Sequence, residues 1–327
     1  MIVTKTPLRI SFFGGGSDIP EFYEKHEGIV ISTAINSYIY IAAHECVAPH
    51  LKVIYSQLEL EHDLEQIKHD RVREVLRYFD IKSNIEIASF SNIPTKGTGL
   101  GSSSTFTVGL IKAVLEMRDW GSSPHYIAEL ASLIEIEKCG EPIGKQDQYA
   151  AAYGGFRIYR FFKDGKTLAI PPQYFTNHES IQKLQNNLLC FNTGIVRPAS
   201  SVLTEQVEKL KTNVNFENTK KIVHMAYDAW DLLKKDKIDD FGALLHESWL
   251  IKKQLSSNIT NSYIDEMYDK AIKAGALGGK ILGAGGGGYL LVYAPQERHQ
   301  SVIEAMKGYP RFDFKFEPEG SKVEMKA

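Results

Sequence analysis

Pro94-Thr-Lys-Gly-Thr-Gly-Leu-Gly-Ser-Ser-Ser104 is the stretch on which the fold of this chain turns. A run rich in β-formers, Asn84–Phe90, precedes it. A helical pattern follows over Ser104–Met117, with Phe106, Leu110, Val114 and Met117 along one stripe. Strand, glycine loop and helix in that order put Ser102, Ser103 and Ser104 at a helix N-terminus. Backbone N–H groups there lack intrahelical partners, and the helix dipole adds roughly half a positive charge, so a phosphate is favoured. Gly97, Gly99 and Gly101 let amides wrap an oxyanion where a Cβ would intrude. A serine hydroxyl in the same turn can also reach Mg²⁺. The loop lacks the Gly-Lys-Ser/Thr ending of P-loop NTPases, which excludes that class. Taken alone, a flexible Gly/Ser turn closed by an ordinary serine cap explains it as well.

The rest of the composition narrows the setting. A chain of 327 residues has the length of two domains, and its 43% hydrophobic and 24% charged content is that of a globular protein. The formal net charge of −2 offers no global basic field for nucleic acid or an anionic membrane, so any anion site must be local. Cys46, Cys139 and Cys190 stand far apart with no CxxC pairing, which argues against a disulfide framework or a zinc site and suits a reducing cytoplasm. No apolar stretch approaches the ~18–20 residues that span a bilayer. The N-terminus lacks the apolar core of a signal peptide. A soluble cytoplasmic protein is expected, with monomer and homodimer both open.

Further along the chain, Ile29–Ile35 and Tyr38–Ala42 read as two strands separated by the polar break Asn36-Ser37. A helix is expected from Asp63, as N-cap, to Phe79, and another over Pro124–Lys138. Phe156–Ile170 returns to strand with a turn at Lys163–Lys166, and Pro171-Pro172 marks a domain edge. Beyond it come a strand at Leu188–Thr193 and helices near Ser201–Lys211, Thr219–Lys235, Asp239–Ser256 and Ser262–Ala274. The glycine run Gly283–Gly288 then leads into the strand Tyr289–Ala294. The pattern is α+β in two domains, 1–172 and 173–327.

Two more glycine clusters and an acidic group accompany the central loop. Gly14-Gly15-Gly16 lies between Arg9 and Asp18, a turn a ligand could approach closely. The run from Gly283 to Gly288 contains GxGxxG, but it leads into a strand rather than a helix, so the dinucleotide-binding reading fails on context. Glu135 and Glu137 stand two apart on an expected helix and cannot face the same site, so one should be functional and the other solvated. Asp147 precedes the small-residue run Ala150–Ala152. An Asp in such a place is usually a helix cap, but phosphoryl transfer needs one carboxylate for Mg²⁺ and another beside the attacking hydroxyl.

Taken together, the three glycine clusters in this order resemble the GHMP small-molecule kinases, the family of galactokinase, homoserine kinase and mevalonate kinase. The resemblance runs from Pro7 to the strand at Tyr289. It implies an N-terminal domain like ribosomal protein S5 domain 2 and a ferredoxin-like C-terminal α+β domain. ATP would lie across Pro94, Gly97, Gly99, Leu100, Gly101, Ser102, Ser103 and Ser104, with Mg²⁺ on Ser103 and Glu135. Asp147, in Gly144-Lys-Gln-Asp-Gln148, matches the family's catalytic aspartate, and Arg9 the arginine that steadies the reacting oxygen. Asp18 matches an acidic residue that binds sugar hydroxyls, with Gly15, Gly16, Gly285 and Gly286 as expected acceptor contacts. Galactokinases carry Gly-Glu-His-x-Asp where this chain has Gly14-Gly-Gly-Ser-Asp18, which disfavours galactose. The patterns Gly-Gly-Gly-Ser-Asp, Gly-Lys-Gln-Asp-Gln-Tyr and Thr-Gly-Ile-Val-Arg-Pro more closely resemble the heptose 7-phosphate kinase branch, with fucokinase-like domains next.

The resemblance implies phosphoryl transfer from ATP to an anomeric hydroxyl, Asp147 taking the proton and Arg9 favouring the developing alkoxide. A phosphorylated acceptor needs a second anion site. Lys145 and Arg197 are the candidates, although Arg197 also reads as an exposed residue before a proline. Trp249, Lys252 and Lys253 read as a packed tryptophan beside a solvated face. Asp240-Phe-Gly242 has no accompanying HRD loop and is coincidental. A sugar-sensing pseudokinase is the reading from a different class, and intact Ser103, Glu135 and Asp147 argue against it.

Overall fold

The computed structural model describes residues 1–94, 97–197 and 199–327, and the side chains of residues 199–201 are also left undescribed. Thr95 and Lys96 of the central loop, and Pro198 of the Arg197 loop, therefore lie outside the described residues.

The N-terminal sheet is built on two long strands, β1 (Ile2–Phe13) and β2 (Gly28–Glu45), paired antiparallel along their lengths. On its other edge β2 pairs with β5 (Ile85–Ser91) along one half and β6 (Phe156–Phe161) along the other. Beyond β5 lie β3 (Leu51–Ile54), parallel to it, and β4 (Leu58–Glu61), while β7 (Thr167–Ile170) flanks β6. Asn36-Ser37 does not separate two strands. It forms a bulge in β2, where the register against β1 shifts between Pro7 and Leu8. The bulge turns Asn36 toward the chain's C-terminal segment, so that Asn36 N donates to Lys315 O and Lys315 N to Asn36 Oδ1.

Short helix α1 (Pro20–Tyr23) follows β1, and α2 (Asp70–Tyr78) precedes β5. The helix expected from Asp63 is two pieces. Asp63 caps only a single 3₁₀ turn, Leu64–Gln66, and His69 caps α2. Between them Ile67 is extended and fully buried, and Glu59 accepts bonds from the amides of Lys68 and His69. Helix α3 (Ser102–Met117) is buried almost all round, against β1 and β2, rather than along one stripe. Helix α4 (Pro124–Ser132) continues as a π-helical segment, Leu133–Lys138, and α5 (Gln146–Tyr153) packs on both α3 and α4.

After α6 (His178–Asn186) the chain enters a second antiparallel sheet. Its strands are β8 (Leu188–Asn192), β9 (Gly278–Ile281) and β10 (Tyr289–Tyr293), in the order β8-β10-β9. A bridge from Phe191 to Arg311 places a fourth extended segment on the outer side of β8, giving the ferredoxin-like order. Helices α7 (Ala199–Lys211), α8 (Phe216–Lys234), α9 (Ile238–Lys252) and α10 (Ser262–Lys273) connect β8 to β9, and α11 (His299–Ala305) follows β10. The last strand, β11 (Lys322–Lys326), returns to pair with β1, so the chain's end belongs to the first sheet.

One apolar core spans the first sheet and one face of the second, whose other face carries a separate cluster around Trp249. Phe12 and Phe13 at the end of β1 meet Phe241 of α9 with ring centroids 5.7 and 5.0 Å apart. These contacts fix the turn after β1 against the second sheet, where the cleft lies. No helix among the described residues is long and apolar enough to cross a membrane.

Candidate active site

A cleft of about 290 Å³ opens where β1, the start of α3, the start of α5 and the strand β9 converge. Side chains alternate along a strand, so Leu8, Ile10 and Phe12 enter the core while Arg9 and Ser11 line the cleft. Leu100 O accepts from Arg9 N at 3.0 Å, which ties the glycine loop to β1. Leu100 itself is fully buried and serves as the loop's anchor in the core.

The loop needs glycine for two separate reasons. Gly101 caps α3 in the left-handed region at φ 79°, and a Cβ there would stand 3.2 Å from Arg9 Cγ and 3.3 Å from Asp147 Oδ2. Gly99, at φ 75°, presses on the backbone of Leu282 and Gly283, so the third glycine cluster packs directly on the second, while Gly15 and Gly16 of the first line the same cleft. Ser102, Ser103 and Ser104 line the cleft at the helix start, and Ser103 is the exposed one.

Arg9 and Asp147 face this helix start as a two-pronged pair. Arg9 Nε donates to Asp147 Oδ1 and Arg9 Nη2 to Asp147 Oδ2, both at 2.7 Å, and Arg9 Nη1 donates to Gly99 O at 2.5 Å. Asp147 is held at the first turn of α5, and its side chain is 23% exposed to the cleft. Asp18 locks that turn in place. Its oxygens accept from Gly16 N, Gln146 N and Gln146 Nε2 at 3.0–3.1 Å. Burial pushes the Asp18 carboxyl above the usual carboxylate range. Gly15, Gly16 and Asp18 all line the cleft.

The glutamates divide as their spacing requires, with Glu137 exposed and Glu135 buried in the π-helical turn. Glu135 does not line the cleft. Its carboxylate is enclosed by Arg71 Nε at 2.7 Å, Thr107 Oγ1 at 3.0 Å and Gln148 Nε2 at 2.6 Å. Arg71 also reaches Glu141 at 2.9 Å, and it is Arg71 and Glu141 that face the cavity. Nothing in the sequence singled out Arg71.

A second cavity of about 530 Å³ adjoins the first and shares Arg71, Ser102 and Ser103 with it. Pro94 lies here, with Tyr55, His69, Phe90, Ile93 and Phe106. His69 stacks on Phe106 at 4.7 Å and meets Tyr55 edge-on at 4.9 Å. Burial and the neighbouring Arg71 lower the His69 pKa, which favours the neutral ring. These aromatics are scattered over four elements, so no local motif marks them.

Four expected acceptor contacts lie off the cleft wall. Lys145 turns away from the cleft, donating to Glu129 at 3.1 Å and to Gly165 O at 3.1 Å, with its ammonium over Tyr23. Gly285 and Gly286 do not line the cavity, because they pack on Ile259 and Asn258 and the Gly286 amide donates to Ile259 O at 2.8 Å. Gly283 and Ala284 line it instead. Arg197 is exposed, outside the cavity wall and beside Gly286. Conversely Lys252, read as part of a solvated face, is buried on the cleft wall, as is Lys280. Away from the cleft, Cys46, His50 and Glu86 bring potential ligand atoms within 4.8 Å of one another, with Lys52 already on Glu86 at 3.4 Å.

A helix start with free backbone amides, facing an Arg–Asp pair across one cleft, is an arrangement suited to phosphoryl transfer. The GHMP kinases N-terminal domain model matches residues 68–155 and the GHMP kinases C-terminal model residues 229–310. D-glycero-alpha-D-manno-heptose 7-phosphate kinase of Campylobacter jejuni is 30% identical over 338 aligned positions, covering 98% of each chain. Among solved structures, a putative sugar kinase from Campylobacter jejuni aligns with a TM-score of 0.77 at 28% identity, over 98% of this chain and 97% of that one. A D-glycero-D-manno-heptose 1-phosphate kinase from Bacteroides thetaiotaomicron has the same fold, with a TM-score of 0.82 at 24% identity and 100% coverage of both chains. The chain belongs to the GHMP kinase family.

Proposed function

We propose that this kinase transfers the γ-phosphoryl group of ATP to the anomeric C1 hydroxyl of D-glycero-D-manno-heptose 7-phosphate, giving the 1,7-bisphosphate. The observation that carries the substrate is the end-to-end similarity to the Campylobacter jejuni heptose 7-phosphate kinase. The adenine ring occupies the aromatic cavity of Tyr55, His69 and Phe106, and the triphosphate passes over Ser102–Ser104 into the main cleft.

The residues present fit Mg²⁺ in kind, because it takes hard oxygen donors. Ser103 Oγ is exposed at the helix start, and Glu135 lies behind the Arg71 ion pair. Ser103 and, once released from Arg71, Glu135 would hold the metal, which neutralises phosphate charge when bound. Asp147 orients the acceptor hydroxyl and takes its proton as the new P–O bond forms. Its oxygens keep lone pairs beyond those used by Arg9. Arg9, fixed on both Asp147 and Gly99, places positive charge beside the reacting oxygen, a form of preorganisation worth several kcal/mol in a closed site. Asp18 holds the turn that carries Asp147 and offers a carboxyl edge to sugar hydroxyls.

The test is ADP release with Mg²⁺·ATP against a panel of free sugars and sugar phosphates, with ³¹P NMR of the product. A new anomeric phosphate on heptose 7-phosphate is expected. Turnover only on fucose or galactose would replace the substrate, and nucleotide binding without turnover on any acceptor would favour a sensor.

A further inference from the structure

Lys252, at the end of α9, and Lys280, on β9, are 9% and 6% exposed and form part of the cleft wall. Both ammonium groups have carbonyl partners only. Lys252 Nζ donates to Gly283 O at 2.6 Å and Ile281 O at 3.3 Å, and Lys280 Nζ to Phe12 O at 2.7 Å. Among the described residues neither has a carboxylate within salt-bridge distance. Buried cations are ordinarily paired, because a carbonyl dipole offsets only part of the lost hydration. Arg9 adds a third positive charge nearby, already committed to Asp147. Ser11 Oγ, buried on the same wall, has no hydrogen-bond partner among the described residues, and neither has Gln146 Oε1.

This wall is short of an anion. The triphosphate has its own donors in the amides at the start of α3, and Lys145 and Arg197 do not line the cleft. Lys280 is bonded to Phe12, two residues before the glycine turn that carries Gly15, Gly16 and Asp18 on the acceptor side. We propose that Lys252 and Lys280, with Ser11, form a second phosphate subsite that takes the acceptor's own phosphate group. This rests on the reading of the acceptor as a phosphorylated sugar. The other charged groups on the cleft wall are Arg9, Asp18, Arg71, Glu141 and Asp147. Burial, with Arg9 close by, lowers the Lys252 ammonium to about 7, and burial beside Lys252 and Arg9 lowers Lys280 well below its ordinary range. An arriving dianion restores those protons, so binding takes up protons near neutral pH.

The probe is inorganic phosphate, titrated calorimetrically into the full chain saturated with Mg²⁺ and a non-hydrolysable ATP analogue. Two buffers of different ionisation enthalpy report the proton uptake. Wild type should bind one phosphate with proton uptake. Lys252→Met and Lys280→Met should each weaken it tenfold or more while moving nucleotide affinity less than threefold. Methionine preserves the apolar stem, so melting temperatures should hold or rise. No phosphate binding, unchanged affinity in both variants, or a loss confined to the nucleotide overturns the subsite. The two proposals separate in turnover. Phosphate binding through the lysines without turnover of heptose 7-phosphate would sink the substrate and leave the subsite. Turnover with an unchanged KM for heptose 7-phosphate in both variants would do the reverse.

Discussion

Arg9 on the first strand and Asp147 on α5, 138 positions apart in sequence, meet through two parallel N–H···O bonds of 2.7 Å beside the glycine loop. Two such bonds restrict both side chains far more than one, so the carboxylate is presented to the cleft in a single orientation.

Asp147→Asn should keep nucleotide affinity within about threefold and lower kcat by on the order of 10²–10⁴. The amide cannot take the acceptor's proton, and its NH₂ faces an arginine that can only donate. Steady-state kinetics beside a fluorescent-nucleotide titration checks both halves. A turnover within a few fold of wild type would remove Asp147 from the chemistry.

Gly101→Ala tests whether the loop's conformation, rather than its composition, sets that pair. The residue sits at φ 79°, and a Cβ would press on both Arg9 and Asp147. The left-handed backbone alone should cost about 1–2 kcal/mol. Displacing the pair should lower kcat about tenfold or more. A crystal structure with an unmoved pair and normal kcat would contradict this.

The metal role proposed for Glu135 depends on Arg71, whose Nε donates to its carboxylate at 2.7 Å. Arg71→Met leaves a carboxylate with no exposure to solvent and without its cation, which should cost about 3–5 kcal/mol. If Mg²⁺ replaces the guanidinium as the counter-charge, Mg²⁺·nucleotide should raise the melting temperature of this variant more than that of wild type. An equal rise in both proteins would remove Glu135 from the metal site.

Lys252 also predicts a pH dependence with a definite sign. Its folded pKa, about 7, lies below its ordinary value of 10.5, so between those pH values the unfolded chain binds more protons. Stability of the ligand-free protein should therefore rise with pH across that window, and the full penalty should be present below about pH 7. Lys252→Met should show a shallower rise, because only the Lys280 share remains, and should exceed wild type at pH 6 by on the order of a few kcal/mol. Urea titrations of both proteins at pH 6 and pH 9 measure the difference. Parallel pH profiles would show that Lys252 keeps its charge at no cost.

Elements with their own local signal were legible. Strand β5, the loop, α3, and the later helices stand near the expected places because periodicity and glycine spacing are properties of neighbouring residues. Strand β2 reads in sequence as two strands because Asn36-Ser37 is a polar interruption, and the partner of Asn36, Lys315, lies 279 residues away. The helical pattern from Asp63 overruns the helix because Ile67 keeps helical spacing while serving the core in an extended conformation.

By itself the sequence determined the glycine loop at a helix start and the family, and it named Arg9, Asp18 and Asp147, which the fold brings to one cleft. These rest on residue type and spacing, which survive without knowledge of the partners. Only the tertiary structure decided which cations face the cleft. Lys145 is drawn to Glu129, while Lys252 and Lys280 are carried inward by α9 and β9. A lysine reads the same in sequence whether it is solvated, ion-paired or buried, and its environment is set by elements far along the chain. The same holds for Arg71 on Glu135 and for the aromatic cavity, each assembled from segments that share no local pattern.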